Sequence, residues 1–472
     1  MAFSPDGAVR FVKKELSLKS TLALHAYSLL WLLLSPVIAC YLLYRSLRQP
    51  AYRKHWFERF ALKLPNFRQE PLEHLPDGPI WVHAVSLGET RAASSLLAAI
   101  AQRYPKHRLL LTHGTPTGRQ AGKDLLASLD LPQGQSLQLY LPYDNIWAVS
   151  RFFDHYQPKI GIIIETEVWP TLMSQVRKHD IRMMLVSARL SEKSLSKAFR
   201  SKILIKPALA AFDKILCQTD SDRVRIKTLV PDVVCSVVGN LKFDVALDES
   251  LLSMGKVWRM KADSDRCMPS ESGSEAKPPR WVVAASTRDA EEALLIDQWL
   301  NLTTAEREDL VLVLVPRHPQ RFDQVAQYLD RFCNGSWTRR SDTMFPAMNS
   351  RVQLVLGDSM GEMSAWYALA DIVIMGGSLI DTGSQNLIEA CSAGKPVVLG
   401  PSIYNFQQAA EQAIAEAAAI QTDSSQVLSI ALELVRNEQR CLSMGERAKH
   451  FVAVHQGATK RVVDAMSDLI KP

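Results

Sequence analysis

Hydrophobic and polar positions divide the chain into distinct regimes. Residues 26–44 hold no charged side chain and are rich in Leu. As a helix rising 1.5 Å per residue, such a run is long enough to cross a hydrocarbon core. From Pro79 the pattern becomes short apolar runs separated by amphipathic stretches. Runs at 80–85, 108–112, 137–141, 160–164, 183–186 and 214–217 predict strands, with helices over 90–103 and after Gly118. Strands alternating with helices predict right-handed βαβ crossovers and a parallel sheet. The rhythm breaks over 246–280, where 264–280, rich in Ser, Glu, Pro and Lys, predicts a flexible loop. A second series follows, with strands at 281–285, 311–315, 351–356, 371–375 and 397–399, and 405–470 reads as helical.

The expected organisation is an N-terminal extension (1–25), a membrane anchor (26–44), a first α/β domain (45–245), a linker (246–280) and a second α/β domain with closing helices (281–472). Two doubly wound domains of this kind leave a cleft at the carboxyl ends of their strands, where ligands bind.

Charge sharpens the membrane reading. Residues 1–60 hold nine Lys and Arg against three Asp and Glu, a surplus equal to the whole net charge of +6; the remainder holds 46 of each. A basic patch confined to one end predicts a local anionic partner, and no nucleic-acid motif is present. Anionic lipid headgroups fit that patch. The denser basic flank, Arg45, Arg48, Arg53 and Lys54, follows the apolar run and places the body on the cytoplasmic side. A cleaved signal, suggested by Val37-Ile38-Ala39-Cys40, and a buried core helix are the rival readings of 26–44. The basic, aromatic stretch 49–62 reads as a surface helix against headgroups, or as a helix packed on the next domain. Seven scattered cysteines without a Cys-x-x-Cys pair indicate a reducing compartment.

Several strand ends carry candidate chemistry. Gly376 and Gly377 end an apolar run, and a helix follows from Asn386; that order presents backbone N–H groups to a phosphate. Glu389 in its first turn can accept from ribose hydroxyls, or simply complement the helix dipole. Glu89 follows Ser86-Leu87-Gly88 and can act as a general base. Ser86 with Glu89 also fits a capping box, and the two roles are compatible. Glu165 and Glu167 end a very apolar strand; helix capping before Trp169-Pro170 is their structural alternative. Arg317, with His318 between it and Pro319, offers a fixed cation for a phosphate or carboxylate. Gly361, Glu362 and Met363 lead from a strand into a helix. Asp220-Ser-Asp222 and Asp263-Ser-Asp265 mimic a metal-binding Asp-x-Asp, but the first reads as a helix cap and the second lies in the linker.

Together these motifs resemble the 3-deoxy-D-manno-oct-2-ulosonic acid (Kdo) transferase family. The resemblance covers about residues 26–465. It runs through Val85-Ser86-Leu87-Gly88-Glu89, Thr115-Pro116-Thr117-Gly118, Glu167-Val168-Trp169-Pro170 and Ser187-Ala188-Arg189. It continues in Gly239-Asn240-Leu241-Lys242-Phe243-Asp244, Arg317-His318-Pro319, Gly361-Glu362, Gly376-Gly377-Ser378-Leu379 and Gln385-Asn386-Leu387-Ile388-Glu389. It implies a GT-B fold and inverting transfer of Kdo from CMP-Kdo to the lipid A precursor (lipid IVA) at the inner membrane, with no cofactor and no catalytic metal. By motif, Glu89 is the implied base and Glu167 a second acceptor-side residue. Arg317, His318, Pro319, Gly361, Glu362, Met363, Gly376, Gly377, Ser378, Asn386 and Glu389 are the implied donor-binding set. Ser384, Ala390 and His113-Gly114 depart from the family pattern. A transferase using a UDP-sugar and a catalytically silent scaffold are the alternatives.

Overall fold

The computed structural model describes residues 17–67, 78–244, 247–266, 278–307, 309–333, 336–342 and 352–470. The extension before Ser17 and the centre of the linker loop, 267–277, lie outside the described residues.

The chain forms two compact units, Met1–Asp244 with Gln456–Pro472, and Val245–His455. The first is built on seven strands, β1 (Ile80–His83), β2 (Leu109–His113), β3 (Ser136–Tyr140), β4 (Ile160–Ile164), β5 (Arg182–Ala188), β6 (Lys214–Cys217) and β7 (Cys235–Val237). They lie in the order β3-β2-β1-β4-β5-β6-β7, all parallel. The second has β8 (Arg280–Thr287), β9 (Leu310–Pro316), β10 (Trp337–Arg339), β11 (Leu354–Leu356), β12 (Ile372–Met375), β13 (Val397–Leu399) and β14 (Ala419–Gln421), parallel in the order β10-β11-β9-β8-β12-β13-β14. Helices cover both faces of such sheets, which is why the central strands read as unbroken apolar runs. Every residue of β1, β4, β9 and β12 is buried. Gly161 is required by this packing: a Cβ there would meet Met183 Sδ at 2.4 Å and the Trp81 ring at 2.6 Å. Strand order reverses between β1 and β4, and again between β8 and β12, and ligands gather at the carboxyl side of these switch points.

The apolar run forms part of one helix, Leu18–Arg48, with Pro36 inside it. It is long and apolar enough to cross a membrane. Part of one side meets the first unit: Ile146 N–H donates to Ser28 Oγ at 2.9 Å and Trp31 stacks on Tyr143 at 5.6 Å. Leu29, Leu32, Leu33, Val37 and Tyr44 are exposed. The stretch after it is no continuous surface helix. Pro50 opens a short 3₁₀ turn, and the helix Trp56–Arg59 buries both its charges. Glu58 pairs with Arg119 and accepts from Tyr140 N–H at 2.9 Å, while Arg59 lies 3.7 Å from the Tyr140 ring centroid. Those partners, not headgroups, take these charges.

Two boundaries differ from the expected ones. Much of the linker is the helix Glu249–Arg266 of the second unit, whose buried Trp258 packs 5.0 Å from Trp366. The final helix, Ala458–Met466, returns to the first unit, where Val462 and Met466 join the core around Leu96 and Ile100. Asp244 fixes that return by accepting from the N–H groups of Gly457 and Thr459. Asp244→Ala leaves both donors without their acceptor, at a cost of about 1–3 kcal/mol. Hydrogen exchange should then accelerate in Ala458–Met466 ahead of β1 and β4; unchanged exchange in that helix would show that Asp244 does not hold it.

Candidate functional site

In the first unit, three carboxylates gather at the β1/β4 switch point. Ser86 ends the extended chain after β1 and caps the helix Leu87–Ala92, accepting from Glu89 N–H at 3.4 Å. Glu89 completes the box, its Oε2 accepting from Val85 N–H at 2.5 Å and Ser86 N–H at 3.4 Å. Both bonds fall on Oε2, so Oε1 takes no part in the cap. The cap therefore orients the carboxylate without consuming it. Burial, then the charge on Glu165, and to a lesser degree Glu167, push the Glu89 carboxyl up to about 7. A carboxylate poised there exchanges protons near neutral pH, as a general base must.

Glu165 leaves β4 in the left-handed region at φ 64°, pinned by its N–H to Val186 O at 2.8 Å. Its Oε1 pairs with Lys242 Nζ at 2.8 Å. Glu167 accepts from Trp169 Nε1 at 2.7 Å, and the Trp169 ring stands edge-on to His83 at 5.7 Å. His83 bonds Thr112 Oγ1 through Nδ1, and burial, helped by His113, pushes its pKa down to about 3, so the ring is neutral. Capping of the helix Pro170–Lys178 falls to Asp144, which accepts from Thr171 and Leu172 N–H at 3.1 and 2.7 Å. Neither Glu165 nor Glu167 supplies that cap.

In the second unit, the loops after β11, β9, β8 and β12 line up along one sheet edge, because those strands are neighbours. Arg317 N–H bonds Thr287 O at 2.9 Å, and Arg288 Nη1 lies 2.8 Å from His318 Nε2. Burial and the charges of Arg288, Arg317 and Arg321 lower the His318 pKa and favour its neutral ring. Pro319 opens the 3₁₀ turn Pro319–Arg321. Gly361 takes φ 83°, and Glu362, before the helix Met363–Leu369, bonds Ser359 Oγ and Arg340 Nη2. Asn386 caps the helix Leu387–Ser392 through Ile388 N–H, and its Nδ2 donates to Glu389 Oε1 at 3.0 Å.

The Gly376–Leu379 loop is not built as the motif suggests. Gly376 N–H bonds Ala285 O, and a Cβ on Gly376 would stand 2.4 Å from Ser286 O. The N–H groups of Gly377 and Leu379 donate to the Glu291 carboxylate at 2.7 and 2.9 Å, and Arg288 N–H joins them at 2.7 Å. Ser378 is wholly buried, its Oγ bonded to Met375 O and Gly400 N–H. These N–H groups and this hydroxyl face the protein interior, where they hold the loop in shape. Glu291 and Arg288 escaped the sequence reading. Two acids at a helix start look like ordinary dipole partners, and nothing local marks one as the brace of a loop far along the chain. Asp222, of the Asp-x-Asp look-alike, is buried and accepts from Leu190 N–H, while Thr219 caps its helix.

A family model described as 3-Deoxy-D-manno-octulosonic-acid transferase (kdotransferase) matches residues 54–245. A 3-deoxy-D-manno-octulosonic acid transferase of Bordetella pertussis is 40% identical over 393 residues, covering 83% of this chain and 87% of the relative. The protein of the same name from Haemophilus influenzae is 31% identical over 452 residues, covering 94% of this chain and 97% of its own. Among solved structures, the S. aureus MnaA-UDP co-structure superposes with a TM-score of 0.51 at 13% identity, covering 84% of this chain and 98% of that chain. That likeness shows the fold: two parallel-sheet α/β units of the GT-B type.

Proposed function

The chain belongs to the 3-deoxy-D-manno-octulosonic acid transferase family, and from that membership we propose that it transfers Kdo from CMP-Kdo to the lipid A precursor lipid IVA. The observation that carries the reading is Glu89, a carboxylate oriented by its own helix cap and pushed up to about 7 at the β1/β4 switch point. Glu89 takes the proton from an acceptor hydroxyl as that oxygen bonds to the anomeric carbon of Kdo. The bond from that carbon to the CMP phosphate oxygen breaks, and CMP leaves with the electron pair. A single displacement of this kind inverts the configuration. Glu167, steadied by Trp169, serves the acceptor side.

The second unit supplies the donor cradle. Arg317 and Arg288 offer cations for the phosphate and the Kdo carboxylate, and preorganised cations stabilise the charge that develops on the leaving group. The Asn386–Glu389 pair offers hydrogen bonds to the ribose. Gly376, Gly377 and Ser378 shape the loop that presents these groups. The helix Leu18–Arg48 anchors the protein in the inner membrane, with its basic flank on anionic headgroups at the cytoplasmic face. The acceptor's acyl chains lie in that same bilayer.

With Glu89 as the base, kcat/KM for the acceptor should fall about tenfold per pH unit below about 7, as the carboxyl protonates. A pH-rate profile of the folded protein checks this, and an acid limb near the ordinary glutamate range would remove Glu89 from that role. Donor identity is tested by competition: CMP should inhibit strongly and UDP weakly. The reverse order would point to a UDP-sugar donor.

A further inference from the structure

Lys242 stands on a turn that the first unit holds firmly. Asn240 Oδ1 accepts from Lys242 N–H at 3.0 Å, and Ser187 Oγ accepts from Leu241 N–H at 3.1 Å. Ser187 itself occupies the left-handed region at φ 52°, where the β5–β6 register shifts. From this turn Lys242 Nζ reaches Glu165 Oε1 at 2.8 Å, and Glu165 is the other left-handed residue of the site, at φ 64°. Non-glycine residues persist in that region only where their surroundings over-determine them. Two such residues, on the adjacent strand ends of β4 and β5, aim one ion pair at the β1/β4 switch point. The helix Leu87–Ala92, which carries Glu89, packs on the same turn.

We propose that Lys242 governs the protonation of Glu89 through Glu165, as a positioning residue whose cation holds the Glu165 charge in check. The inference rests on the reading of Glu89 as the base, and it gives the Gly239–Asp244 motif a function in the reaction. The groups around Glu89 support this route. Glu165 and Glu167 face it from the loop after β4, and Glu165 exerts the larger charge effect. His113, beside Thr90 on the Glu89 helix, is pushed down to about 4 by burial and is neutral. On the packed helix Pro116–Ser128, Arg119 is engaged by Glu58, while Lys123 and Asp124 are exposed. Ser94–Arg103 carries its one charge, Arg103, at its far end. Asp244 is bound to the Gly457 and Thr459 N–H groups.

The signs follow from electrostatics. Without Lys242, the Glu165 charge is uncompensated, ionised Glu89 is disfavoured, and the acid limb of the rate profile moves to higher pH. Without the Glu165 charge, ionised Glu89 is favoured and the limb moves lower. Profiles of kcat/KM against pH, with lipid IVA and CMP-Kdo, should show Lys242→Met raising the limb by about 0.5–1 pH unit. Glu165→Gln should lower it, and Lys242→Arg should restore the parent position. In the Glu165→Gln background, Lys242→Met should shift the limb clearly less than it does in the parent, since the part of its effect that passes through Glu165 is gone. A limb unmoved in Lys242→Met, or a shift of undiminished size in the double variant, overturns the inference. If Lys242→Met fails to fold, an unmoved limb in folded Glu165→Gln overturns it equally. Undiminished turnover in Glu89→Gln would instead sink the base assignment. An inactive Glu89→Gln with an unmoved Lys242→Met limb removes the Lys242 role alone.

Discussion

Glu89→Gln is expected to lower turnover by at least about 10³-fold while leaving the fold and CMP-Kdo binding intact. The amide is the right probe because it separates the cap that Glu89 forms from the base role proposed for it. Its carbonyl oxygen can still accept from Val85 and Ser86 N–H, so the capping box at the head of Leu87–Ala92 survives. It cannot take a proton from the acceptor hydroxyl. Loss of a cap alone costs about 1 kcal/mol of stability and no particular fraction of rate. Parallel thermal melts, donor titration by calorimetry and single-turnover rates therefore distinguish a lost base from a lost helix. Turnover close to the parent value would exclude Glu89 as the base.

Glu291→Ala is expected to have the largest effect on the second unit. The side chain is fully buried and takes hydrogen bonds from Arg288, Gly377 and Leu379 N–H. Its removal leaves three donors without their acceptor and opens a void beneath the loop. At about 1–3 kcal/mol for each unmet buried group, with imperfect additivity, the loss is about 3 kcal/mol or more. The loop carries the approach to Asn386 and Glu389, so CMP-Kdo affinity should fall with stability. Glu291→Gln should lie between the two, since its amide group offers a hydrogen where one backbone donor needs an acceptor. Urea unfolding together with donor titration checks the pair of effects. Parent stability in Glu291→Ala would mean that the loop holds its shape without this brace.

The strands were legible because parallel strands buried on both faces leave unbroken apolar runs, as in β4 and β9. The capping box was legible because Ser86 and Glu89 sit three apart at a strand end, and that cap orients the carboxylate proposed as the base. The Gly376–Gly377 loop was only half legible. Its glycines mark a close approach and a positive φ, but the acceptor of the Gly377 N–H lies 86 residues upstream, beyond any local pattern. The two readings of 49–62, on headgroups or on the next domain, could not be told apart for a related reason: a charge with a buried partner and a charge in solvent look alike in sequence. The last helix shows an amphipathic face whichever unit it covers. Only the three-dimensional placement of Asp244 beside Gly457 reveals that it returns to the first. The edge strands β7, β10 and β14 hold at most one buried residue each, so unlike the equally short but buried β11 and β13 they leave no apolar run.

The most direct test of the account is transfer itself. The full chain in detergent would be incubated with CMP-Kdo and lipid IVA in the presence of EDTA, and the lipid weighed by mass spectrometry. A gain of one or more Kdo units is expected with the parent chain and none with Glu89→Gln. Unmodified lipid with the parent chain, with the donor intact and a known Kdo transferase active alongside, would contradict it.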